Sequence, residues 1–148
     1  MRSLALALAL ACAFAAQAVG TDEEEDKLDP DYASGRQAIE AQDWRAAIGF
    51  LNSAALRDTR NADIQNYLGY AYRNSGDLGL AFTHYHRALQ LNARHRGAHE
   101  YLGEAYLMSG NLAKAEEHLD LLGRICLIPC AELGLLREKI AAFRAKQQ

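Results

Sequence analysis

Residues 68–88 read LGYAYRNSGDLGLAFTHYHRA, and residues 102–122, one 34-residue step later, answer with LGEAYLMSGNLAKAEEHLDLL. The matching positions are Leu68-Gly69 and Leu102-Gly103, Tyr72 and Tyr106, Gly76-Asp77 and Gly110-Asn111, Ala81 and Ala115, Tyr85 and Leu119, Ala88 and Leu122. An earlier, weaker copy keeps the register through Gly35, Ala38, Asp43, Ala47, Leu51 and Ala54. One supersecondary unit is therefore written three times. A period of this length means stacked units, because a single helical pair cannot bury its own apolar face.

Each unit reads as two helices, with spans expected at about 30–41, 44–57, 62–74, 78–91, 96–108 and 112–126. Asp29-Pro30 makes a good start: the carboxylate accepts from free first-turn amides, and proline sits where an N–H would go unbonded. Gly76 and Gly110 supply the left-handed residue that ends one helix, and Asp77 and Asn111 cap the next. In the first unit Gln42 stands where that glycine would be. Gly35, Gly69 and Gly103 mark the crossing of the two helices in a unit, with Ala47, Ala81 and Ala115 opposite. The period is expected to stop after Pro129. From Ala131 to Lys146, Leu133, Leu136, Ile140 and Phe143 form one stripe, the pattern of a helix that caps the open end of the stack.

This spacing resembles the tetratricopeptide repeat, a 34-residue helix-turn-helix unit, over about residues 28–129. The resemblance implies an all-α fold: a right-handed superhelix of three repeats (28–61, 62–95 and 96–129) plus a C-terminal capping helix (130–148). It also implies that the first helices line a concave groove that binds a protein or peptide partner. The groove positions are Tyr32, Arg36 and Ile39, then Asn66, Tyr70, Arg73 and Asn74, then Glu100, Glu104, Leu107 and Met108. Tyrosine and arginine give broad contact area with a polar tip, and asparagine can bond a peptide backbone. One pattern in the family, a Lys-Asn-Asn-Lys-Arg clamp for chaperone C-termini, is missing. Tyr32, Arg36, Tyr67, Gly97 and Tyr101 stand at its positions, which argues against that partner class.

The first residues carry an address. Arg2 precedes an unbroken apolar run from Leu4 to Ala16, and Ala16-Gln17-Ala18 has the small-x-small form cut by signal peptidase. Residues 1–18 thus read as a signal peptide, implying a periplasmic or secreted protein in an oxidising compartment. The alternative is a lipoprotein acylated at Cys12, against which stand Ala9 three residues earlier and the apolar run continuing past the cysteine. Removing this segment takes Arg2 away and changes the formal charge from -3 to -4. Asp22 to Asp26 concentrate the acid in a leader (19–27) expected to be disordered and solvated. The folded part is nearly neutral, with no basic patch for nucleic acid.

Cys126 and Cys130 flank Pro129 at the junction of the third repeat and the cap. In an oxidising compartment the first reading is a disulfide pinning the cap. Thiol-redox or metal-handling roles stay open as the alternative function, although the spacing is C-x-x-x-C and neither partner ligands nor a thioredoxin-like pattern surrounds it. The order Ile125-Cys126, Cys130, Glu132-Leu133, Leu136 and Ala141-Ala142-Phe143 looks like the tail of small exported tetratricopeptide proteins of Gram-negative bacteria. The histidines His84, His86, His95, His99 and His118 are expected to be exposed, with His95 in a loop. No phosphate loop, nucleophile elbow or zinc helix is present, so neither an enzyme nor a cofactor or metal site is expected. The expectation is a non-catalytic interaction module with no transmembrane segment in its mature form. Pairing with a second copy through the exposed first helix is left open.

Overall fold

A computed structural model describes residues 29–147. The signal segment, the lipoprotein alternative at Cys12 and the acidic leader lie outside the described residues. Seven helices follow one another: α1 Pro30–Glu40, α2 Trp44–Arg57, α3 Ala62–Asn74, α4 Leu78–Leu91, α5 Arg96–Met108, α6 Leu112–Ile125 and α7 Ala131–Ala145. Among the described residues no strand occurs, and no helix is long and apolar enough to cross a membrane.

The helix starts are made by side chains that accept first-turn amides. Asp29 takes the N–H groups of Asp31 and Tyr32 at 2.9 and 3.1 Å. Asp43, Asn61, Asp77, His95 and Asn111 do the same for α2 to α6. The turns between paired helices carry one left-handed residue each: Gln42 at φ 57°, Gly76 at 94° and Gly110 at 78°. Gln42 holds the glycine's place despite its side chain, at a cost of about 1–2 kcal/mol.

Packing follows the small residues. A Cβ at Gly35 would lie 2.6 Å from Leu51, and one at Gly69 the same distance from the Tyr85 ring. These are contacts between the two helices of a unit, as expected. Gly103 differs, because its nearest neighbour is Leu136 of α7, at 2.7 Å. Leu136 and Ile140, both buried, stand 34 residues after Leu102 and Tyr106. The repeat therefore does not stop at Pro129; it runs on for half a unit. What disappears is the glycine, whose position is taken by exposed Arg137. Three apolar clusters, centred on Leu51 and Leu68, on Tyr85 and Leu102, and on Leu122 and Leu136, make one core along the stack.

The expectation of exposed histidines holds for His86; His84 and His95 are half-buried, and His99 and His118 are only 4% and 9% exposed. His99 on α5 meets His118 on α6 through their Nδ1 atoms at 2.9 Å. The register explains it: one repeat earlier Gln65 and His84 pair at the same place, also at 2.9 Å. His99 Nε2–H donates to the carbonyl of Ala93, so its Nδ1 accepts from His118 Nδ1–H. Both rings are neutral. Burial lowers the basicity of His99, and burial with the neighbouring His99 brings His118 down to about 4. His95, in the loop before α5, caps that helix, its Nδ1 accepting from Ala98 N–H and its Nε2 meeting Asp63 at 2.8 Å.

Candidate functional site

The first helices α1, α3 and α5, continued by α7, form one face, and their side chains sort into two aromatic groups. In the first, the Tyr32 and Tyr67 rings lie 5.9 Å apart and the Arg36 guanidinium stands 6.0 and 5.8 Å from their centres. In the second, Tyr70 packs on Tyr101 at 4.9 Å and on Trp44 at 6.1 Å. The Arg73 guanidinium is 5.3 Å from both tyrosine rings and donates to the Glu104 carboxylate. Each stacked guanidinium contributes roughly 0.5–2 kcal/mol and fixes the rings it touches.

The expected groove residues do not contribute alike. Arg36 is exposed, Tyr70 and Glu104 are half-buried, and Met108 is 61% exposed. Tyr32, Ile39 and Leu107 are partly spent in the core. Asn74 is tied locally, donating to the Tyr70 carbonyl at 2.8 Å. Arg73, at 8% exposure, is a structural cation as much as a surface one. At one end, Glu104, Leu107 and Met108 join Lys139, Ala142, Phe143 and Lys146 of α7 in a cleft of about 370 Å³. At the other, Asn66 and Glu100 join Tyr67, Gly97, Tyr101 and Glu132 in a cleft of about 420 Å³.

Glu100 is the unusual group. It is 5% exposed, and among the described residues no side chain donates a hydrogen bond to it. Burial first, then the charges of Glu104 and Glu132, push its carboxyl up to about 7, with Arg73 and Lys139 pulling the other way. Asn66 is as deeply buried, and its Oδ1 has no partner.

Reading the sequence alone left Tyr67, Tyr101 and Trp44 out of the groove set. The two tyrosines carried a signal, since they stand 34 residues apart, each directly before the Leu-Gly pair. Trp44 is the single tryptophan, and its repeat equivalents, Leu78 and Leu112, are aliphatic, so the period does not reveal an aromatic role there. The residues supplied by α7 follow only from where the last helix packs.

A family model for the tetratricopeptide repeat matches residues 72–125. The fold is that of a tetratricopeptide-like stack of helical pairs. The chaperone SycD of Yersinia enterocolitica type III secretion, solved with a peptide of the translocator YopD, superposes with a TM-score of 0.71 at 18% identity. That match covers 86% of this chain and 99% of the other. PcrH, in complex with the chaperone binding region of PopD, gives 0.70 at 20% identity over 84% and 96%. The first tetratricopeptide domain of Spaghetti (RPAP3), bound to the HSP90 peptide SRMEEVD, gives 0.67 at 17% over 77% and 90%. No curated protein matches the chain.

Proposed function

We propose that this protein is a non-catalytic interaction module that holds an extended or helical segment of a partner in its concave groove, working in the bacterial cell envelope after export. The observation that carries this reading is the Tyr32–Tyr67 and Tyr70–Tyr101 array with arginines stacked on it. Large rigid rings with polar tips, held in place before any partner arrives, are what a binding face needs. Three proteins of the same fold, SycD, PcrH and RPAP3, were solved with partner segments, which supports the class. Envelope location rests on the export segment read at residues 1–18.

The test places a photo-crosslinking amino acid at residue 70 and, as a control, at exposed Arg87 on α4, in intact cells. Partner adducts at residue 70, weakened by Arg36→Ala, are expected. Adducts confined to residue 87 would move the site off the groove. Arg73→Ala is a poor probe, because it strands Glu104 without its cation and lowers stability on its own.

Cys126 and Cys130 have Cα atoms 6.0 Å apart, within the span of a disulfide. Our reading is a staple that closes the connection between α6 and α7 and holds the cap. Cys126→Ser decides between this and a thiol or metal-handling role: lower melting temperature with unchanged partner adducts supports the staple, and lost activity in an equally stable protein supports the chemistry.

A further inference from the structure

We propose that the cleft between the starts of α3, α5 and α7 is a subsite for one basic side chain, a lysine or arginine, of the segment lying in the groove. This deepens the groove reading and rests on it. The acidic side chains around the cleft each meet a basic partner except for one. Asp63 meets His95 at 2.8 Å, and Glu132 meets Arg96 at 3.6 Å. Arg94, on the exposed rim, reaches the Ile125 carbonyl at 3.4 Å. Glu100 alone lies deep and receives no hydrogen bond among the described residues, beside the equally buried Asn66 carboxamide.

Glu100 as a residue is 5% exposed, yet its carboxylate oxygens open on the cleft, and among the described residues no side chain packed around them donates to them. An ammonium or guanidinium entering the cleft would. It would pair with Glu100 and find Tyr67, Tyr101 and the Asn66 amide within the same lining. Of the helix starts nearby, Asn61 takes two amides of α3 and His95 one of α5, while α7 starts without a side-chain cap. A volume of about 420 Å³ admits one long side chain rather than a folded element.

The probe is Nα-acetyl-lysine N-methylamide, titrated into the purified protein at pH 8 and followed by NMR at the Gly97 and Glu100 amides and the Asn66 side chain. Nα-acetyl-norleucine N-methylamide is the uncharged control and Nα-acetyl-glutamate N-methylamide the anionic one. The lysine probe is expected to shift these signals and the other two to leave them in place. Glu100→Gln, with unchanged circular dichroism, weakens the lysine probe at least about fivefold, as loss of a charge-assisted contact requires. Equal shifts from norleucine, preference for glutamate, or unaltered lysine binding in Glu100→Gln each overturn the subsite. The residue-70 crosslink reads the groove separately. Crosslinks kept without lysine preference remove the subsite alone, and lysine binding without crosslinks removes the groove.

Discussion

Replacing Glu100 with glutamine makes the protein more stable above neutral pH and leaves its stability in acid unchanged. The carboxyl is lifted from its ordinary 4.5 to about 7, chiefly by burial. An acid whose pKa rises on folding holds its proton more tightly in the native state. Below pH 4.5 both states are protonated, and Glu100 costs no more than glutamine would. Between pH 4.5 and 7 the unfolded chain ionises first and gains on the native one, and above 7 the native state bears the full penalty. At 1.36 kcal/mol for each tenfold change in acidity, that penalty is at most about 3 kcal/mol. Water and counterions at the groove mouth reduce it to roughly 1–2 kcal/mol. Urea unfolding of wild type and Glu100→Gln at pH 4 and pH 8 measures it. The buried histidines titrate alike in both proteins and cancel from the difference. A gain of equal size at both pH values would mean that packing, not charge, is responsible. A variant less stable at pH 8 would mean that the carboxylate has a donor. The expected pairing, a stabilised protein that has lost affinity for a basic probe, is the mark of a group kept for binding at the expense of stability.

His99→Gln rebuilds in the third repeat the Gln65–His84 pair of the second and should fold normally. His118 is held near 4 against an ordinary 6.5, so its contribution is present above pH 6.5 and lost as pH falls toward 4; removing His99 should shrink that loss, and an unchanged pH slope in chemical denaturation would refute the pairing. Gly69→Val sets a side chain 2.6 Å from the Tyr85 ring and should cost about 1–3 kcal/mol. A melting temperature equal to wild type would show that the helices can part there. Tyr85→Phe removes a buried hydroxyl without a hydrogen-bond partner and should raise stability by about 1 kcal/mol, whereas a loss would place an unseen acceptor beside it.

Helix boundaries were legible to within one or two residues because most are written locally, by an accepting side chain at the starts of α1 to α6 and a left-handed residue at the paired turns, although α7 starts at Cys130 without such a cap. Gln42 was legible too, since the other two copies show what its position must do. The histidine pair was not. Residues 99 and 118 occupy the register of residues 65 and 84, but glutamine and histidine read as surface residues in either copy, and only their burial shows that they face each other. The same limit applies to the groove carboxylates. Glu100 and Glu104 are four residues apart on one helix and look equivalent in sequence. Glu104 is neutralised by Arg73, which comes from the preceding repeat, and Glu100 is left without a donor. Pairing across repeats is a tertiary fact, and the period that fixes the architecture carries no record of it.

That difference sets the polarity of the groove. Counting residues gives a face with two arginines and two glutamates and therefore no net sign. Yet Arg36 is laid against Tyr32 and Tyr67, and Arg73 is held between Tyr70, Tyr101 and Glu104. Arg73 is balanced by Glu104, while exposed Arg36 keeps its charge beside its two rings. Deep in the cleft the acidic group without a basic partner is Glu100, so the sign a partner meets there turns negative as the pH rises above about 7. Like charges brought together at an interface cost several kcal/mol. A peptide bound in the groove with lysine over the cleft should therefore lose most of its affinity when that lysine becomes glutamate, and recover part of it in Glu100→Gln. A glutamate peptide that binds wild type and Glu100→Gln equally would show that the cleft is not read by charge.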